Sequence, residues 1–148
     1  MYKVQKLGIS LVREADVITD TITSSKDSAN VLREFYNELP GKTGYVESFH
    51  VMGLNRANKI LGIVQISIGG RSGTIVDASV VFTAALLMGC SSIILCHNHP
   101  SGNLNPSDAD LKLTKKLTKG GELLDIAVLD HIILTATDSY SFADNGLV

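Results

Sequence analysis

The run SSIILC, residues 91 to 96, passes without a break into HNHPSGNLNPSDAD, residues 97 to 110. A strand that is apolar at successive positions has no polar face to give to water, so it belongs in the middle of a sheet. The segment that follows is mostly His, Asn, Asp and Ser, punctuated by Pro100, Gly102 and Pro106. Such an abrupt change, from buried strand to polar loop, is where a scaffold positions functional side chains. Whatever fold the chain adopts must therefore carry this loop at the carboxyl end of a central strand.

The remaining elements can be read around that strand. LGISLV alternates Leu7, Ile9 and Leu11 with small residues and reads as a strand. In ITSSKDSANVLREFYNELPG, Val31, Leu32, Phe35, Tyr36 and Leu39 share a helical face. Ser25 or Asp27 is placed to cap that helix, and Pro40-Gly41 to stop it. YVESFHVMGLN and KILGIVQISIGG form a hairpin about the turn Asn55–Asn58, and residues 69 to 73 form a loop. DASVVFTAALLMG predicts a helix buried through Val80, Val81, Ala84, Leu87 and Met88 and ended by Gly89. After the polar loop, Pro106 opens a helix that Gly120-Gly121 closes. LLDIAVLDHIILT is the last strand signal, and SYSFADNGLV a short tail. Alternating strands and helices with one hairpin favour an α/β or α+β sandwich.

Bulk properties narrow the function classes. The 148 residues suffice for one domain with a real core, and 45% hydrophobic with 19% charged residues is a globular balance. A net charge of -2 gives no basic field for nucleic acid or anionic membrane. Cys90 and Cys96 lie in an apolar segment and read as buried reduced thiols. Neither a signal-like apolar region nor a membrane-length run is present, so a cytoplasmic location is expected.

In the loop, His97 and His99 are two residues apart, so in extended backbone both imidazoles face one point. Asp110 lies one turn into the following helix, on a segment folded back by Pro100 and Gly102. Two neutral imidazoles and a carboxylate suit zinc, one per chain, with a fourth position open to water as in catalytic sites. Such a water needs a base, and Glu47, inside the β-run YVESFHV, is the candidate. The Ser107 hydroxyl is placed to donate to a developing oxyanion. Ser107-Asp108-Ala109-Asp110 is also a capping-box pattern, which would make Ser107 a helix cap alone.

Glu47, then His97-Asn98-His99-Pro100, then Ser107-x-x-Asp110 together resemble the JAMM signature of the JAB/MPN metalloprotease-like fold. HNHPSGNLNPSDADLKLTKKL, LLDIAVLDHIILT and SFADNGLV are similar to its RadC-like branch. The resemblance implies a three-layer, cytidine-deaminase-like α/β sandwich, its mixed sheet flanked by helices, over residues 28 to 148. Residues 1 to 27 would be an N-terminal strand and loop extension, without the helix-hairpin-helix module of longer RadC proteins. It implies that His97, His99 and Asp110 ligate one zinc, that Glu47 activates water and that Ser107 holds the oxyanion. The reaction implied is hydrolysis of a peptide or isopeptide bond, in some relatives at a ubiquitin-like tail, by attack of zinc-activated water without a covalent intermediate.

An alternative of another class is a DNA-repair or mobile-element-associated accessory protein with a structural zinc. The lysines Lys112, Lys115, Lys116 and Lys119, on one helical face, would be its contact, although a solvated face is the simpler reading. Two positions depart from the wider pattern. Asn98 stands where the deubiquitinating branch has Ser or Thr, and Val81-Phe82-Thr83 where RadC proteins usually have Pro-Arg-Glu. His131 is a candidate for orienting a ligand, His50 points away from Glu47's face, and the hairpin edge with the helix at 80–88 is a candidate homodimer surface.

Overall fold

A computed structural model of the chain describes residues 20–39, 46–69 and 74–148. Its order is α1 (Ser25–Glu38), β1 (Ser48–Leu54), β2 (Ile60–Ile68), α2 (Ala78–Met88), β3 (Ser92–Asn98), α3 (Asp108–Leu124), β4 (Ala127–Leu134) and β5 (Ser139–Ser141). The strands form one mixed sheet in the order β2-β1-β3-β4-β5. β3 is indeed central, antiparallel to β1 and parallel to β4, with α3 as the crossover that a parallel pair requires.

The apolar run of β3 is explained by what covers each face. Ile94 and Cys96 point to the side of α1, where they meet Leu32, Tyr36, Met52 and Ile132. Ile93 and Leu95 point to the other side, against Val51, Val81, Phe82, Ala85 and Leu117 from β1, α2 and α3. The result is an α/β/α sandwich of three layers, as the family resemblance implied. Thr21 bridges to Lys59 and Ile22 joins the α1-side core, so the described chain is packed from its first residues.

Several local expectations need correction. The N-cap of α1 is Ser24, not Ser25 or Asp27: its hydroxyl accepts from Asp27 N, while the Asp27 carboxylate accepts from Thr23 N at 3.0 Å. In α2 only one face meets the sheet. Val81, Phe82 and Ala85 are buried, whereas Val80 and Leu87 are exposed. Gly89 ends the helix as expected, at φ 64°.

Pro106 precedes α3, which Ser107 caps, and Gly120-Gly121 do not stop it. The helix runs to Leu124 and ends at Asp125 in the left-handed region. The two glycines serve packing instead. A Cβ on Gly120 would lie 2.7 Å from the Phe82 ring, and one on Gly121 would lie 2.2 Å from the Ile126 carbonyl. The tail SYSFADNGLV contributes β5 and a turn held by Asp130. The Asp130 carboxylate accepts from Ser141 Oγ, Ala143 N and His131 N. The strand expected at LGISLV, the Pro40-Gly41 stop and residues 70–73 of the expected loop lie outside the described residues.

Candidate metal centre

β3 extends through Asn98, so His97 is the penultimate strand residue and is 1% exposed, while His99 opens the loop. The loop returns through a turn in which Gly102, at φ 81°, bonds back to the His99 carbonyl. Asp110 sits at the third residue of α3, where its carboxylate accepts from Ser107 N at 2.8 Å and its own N–H donates to Ser107 Oγ at 3.1 Å. The capping box is therefore real, and it is what holds Asp110 in place. The Ser107 cap uses a lone pair, and no acceptor among the described residues takes its hydroxyl proton.

These elements bring the three expected ligands together. His97 Nε2 lies 2.9 Å from His99 Nε2, and the two nitrogens lie 3.4 and 3.6 Å from Asp110 oxygens. With zinc bonds of about 2.0–2.1 Å, neighbouring corners of a tetrahedron are about 3.3 Å apart. The separations in the triad bracket that spacing.

A hydrogen-bond chain behind His97 decides what these nitrogens can accept. The Thr114 hydroxyl donates its one proton to the Asp110 carbonyl at 2.7 Å, so it can only accept from His131 Nδ1–H, 2.6 Å away. His131 is fully buried, and desolvation above all holds its pKa well below the ordinary value, so it is neutral. Its Nε2 is then bare and accepts from His97 Nδ1–H at 2.7 Å. That leaves His97 Nε2 as a lone pair. On the other side, His99 Nδ1 donates to the Asn103 carbonyl at 2.6 Å, which leaves the Nε2 of neutral His99 bare as well. Two lone pairs meeting at 2.9 Å beside a carboxylate repel unless a cation lies between them, so the residues fit a metal ion.

With no cation present, an imidazole that takes a second proton donates it to Asp110 instead. That bond above all raises the His99 pKa, with burial opposing and the Asn103 carbonyl and the charges of Asp110 and Glu47 assisting. Burial would raise the Asp110 carboxyl, but hydrogen bonds from protonated His97 and His99 outweigh it and hold the group far below the carboxylate range. Among the described residues this is the one cluster of three or more His, Cys, Asp or Glu able to hold a metal.

Glu47 lies one residue before β1, half-buried, and its carbonyl accepts from Gly69 N at 2.8 Å. A cleft of about 340 Å³ opens beside His99, lined among others by Arg33, Tyr36, Asn98, Leu134 and Thr135. His50 faces α1 as expected. Its Nδ1 contacts Tyr36 Oη, and burial lowers its pKa to about 4. Thr114 and Asn98 were not singled out as site residues from sequence. Thr114 was findable, because it stands four residues after Asp110 and so on the same helix face.

Residues 22–147 match the family model of the RadC-like JAB domain. A UPF0758 protein of Flavobacterium johnsoniae is 49% identical over 126 residues, which cover 85% of this chain and 53% of that protein. A UPF0758 protein of Finegoldia magna is 44% identical over 118 residues, covering 80% and 52% respectively. One from Alkaliphilus metalliredigens is 39% identical over 127 residues, covering 86% and 53%. The chain thus spans about half the length of these relatives. Among the described residues, no helix is long and apolar enough to cross a membrane.

Proposed function

We propose that this chain, which belongs to the RadC-like JAB domain family, is a zinc-dependent hydrolase of an amide bond in a peptide or isopeptide. The observation that carries this reading is the pair of imidazole lone pairs facing each other at 2.9 Å beside the Asp110 carboxylate. Zinc held by His97 Nε2, His99 Nε2 and Asp110 would supply a Lewis acid and lower the pKa of a water to about 7.

The chain's own residues do the rest. Glu47 takes the proton of the attacking water and returns it to the leaving nitrogen. Ser107, whose hydroxyl proton meets no acceptor among the described residues, donates to the carbonyl oxygen as it gains charge. His131 and Thr114 keep His97 in the tautomer that leaves Nε2 bare. No side chain acts as a nucleophile, so no covalent intermediate forms.

The test is cleavage of a library of peptides and of isopeptides on ubiquitin-like tails by the zinc-loaded protein, read by mass spectrometry. Glu47→Gln should lose cleavage and keep the metal. Cleavage at the wild-type rate by that variant contradicts the base assignment, and no cleavage by the loaded wild type contradicts the hydrolase reading. A second reading, an accessory protein on nucleic acid, has one observation in its favour. Lys112, Lys115, Lys116 and Lys119 are all exposed and carry no ion pair among the described residues. Binding to short DNA that weakens steeply with salt would favour it.

A further inference from the structure

We propose that Asn98 is a positioning residue for Glu47; this rests on the base role given to Glu47 above. The side chain of Asn98 leaves β3 on the side opposite His97 and His99, because successive residues of a strand alternate. It is 6% exposed, and its partners include the two residues that flank Glu47. Asn98 Oδ1 accepts from Ser48 N at 2.8 Å and from Ser48 Oγ at 3.3 Å, and Asn98 Nδ2 donates to the Val46 carbonyl at 3.0 Å.

These bonds stand where the sheet ladder has run out. The pairing of β1 with β3 ends at Phe49 and His97, and the next backbone donor of the loop, His99 N, turns to the Leu134 carbonyl on the other side. Without Asn98, residues 46–48 would be tied only through Ser48 opposite Ile68, Gly69 N on the Glu47 carbonyl and the Tyr36 hydroxyl on the Ser48 carbonyl, and not to β3. A carboxamide offers one acceptor and a donor, as a peptide unit does. Asn98 therefore extends the ladder by one side-chain peptide, and Glu47 is pinned from both neighbouring strands. One tripeptide thus places two ligands on one side of the strand and, with the side chain between them, holds from the other side the backbone that carries the base. Aspartate at 98 would keep the acceptor but lose the donor, and serine or threonine has a single oxygen to serve both partners.

The test uses the full chain, with Asn98→Ala and Asn98→Asp read by residue-resolved amide exchange, zinc competition and hydrolysis. In Asn98→Ala the Ser48 amide should exchange at least tenfold faster, while the zinc Kd stays within threefold of wild type. The kcat should fall by about 10- to 100-fold, as expected when a catalytic group moves by an ångström, with KM unchanged. Adding Asn98→Ala to Glu47→Gln should cause no further loss, because a positioning residue has nothing left to position. Asn98→Asp, which keeps the acceptor, should retain most Ser48 protection and lose less activity.

Unchanged Ser48 exchange, or an equal loss of kcat in the Glu47→Gln background, overturns the proposal. If Asn98→Ala does not fold, Asn98→Asp carries the same comparison, and Ser48 exchange and kcat both at wild-type values in it overturn the role of the Val46 bond. If the wild type cleaves nothing, the functional reading fails separately and the Ser48 exchange decides the clamp alone.

Discussion

Replacing Thr114 by Val tests the hydrogen-bond chain behind His97 with almost no change of shape. Thr114 and His131 are 1% and 0% exposed, so no water can take the place of the lost hydroxyl. In the variant either His131 keeps Nδ1–H, buried and unpaired, or it moves its proton to Nε2. The second choice forces His97 Nδ1 to accept, which puts the remaining proton on His97 Nε2, the atom a metal must reach. The first choice costs about 1–3 kcal/mol for the orphaned donor. Since 1.4 kcal/mol is a factor of ten, zinc affinity should fall by about 5- to 150-fold. The metal-free protein can relax into the second tautomer, so its stability should fall by less than its affinity. Thr114→Ser keeps the hydroxyl and should bind zinc within about threefold of wild type. Competition against a chromophoric chelator, beside thermal melts of the metal-free proteins, measures both. A folded Thr114→Val that binds zinc as wild type does, or a Thr114→Ser that loses as much, refutes the tautomer argument.

Four further outcomes are expected. Gly121→Ala should destabilise by about 3 kcal/mol in denaturant unfolding, because its Cβ would meet the rigid Ile126 carbonyl at 2.2 Å. Gly120→Ala should cost less, since the Phe82 ring it meets can shift and alanine favours the helix by about 1 kcal/mol. The pH dependence of melting should have opposite signs with and without zinc. His99 has a raised pKa, so its contribution to the metal-free fold is complete below the ordinary histidine value and is lost as pH rises through the folded one. His50 and His131 are lowered, so they act with the opposite sign: stability is gained as pH rises from their folded values through the ordinary histidine value, and little of that gain remains above about pH 7. The metal-free protein should therefore melt lower at pH 8 than at pH 7. The zinc-loaded protein should gain stability over the same range, since both ligand imidazoles must be deprotonated. Equal slopes for the two forms would contradict the site. Finally, Asp130→Asn sets an amide donor against Ser141 Oγ, Ala143 N or His131 N, and should cost about 1–3 kcal/mol without changing zinc affinity more than severalfold.

The fold was legible where the physics is local or the pattern repeats. The apolar run of β3 placed it centrally, the Asn55–Asn58 turn marked the hairpin, and Asp110 stood at the spacing that returns it to His97 and His99. The errors have a common cause, because sequence signals were read as ends and faces that tertiary packing decides. Gly120-Gly121 looked like a helix stop, yet α3 needs small residues there to approach Phe82 and the Ile126 carbonyl. Val80 and Leu87 looked buried, but α2 has a single face on the sheet. At the site, the candidate ligands and His131 were readable from residue type, and Thr114 from its spacing to Asp110, whereas Asn98 was not. The role proposed for Asn98 runs through hydrogen bonds to the backbone of another strand, and such a role leaves no compositional trace.

The most direct measurement is the metal content of the purified protein, by mass spectrometry, beside His97→Ala and Asp110→Ala. The account predicts about one zinc per chain in the wild type and loss of it in both variants, each of which removes one of three ligands. A wild type that holds no zinc even after reconstitution with the ion, or variants that retain it, would contradict the three-ligand centre.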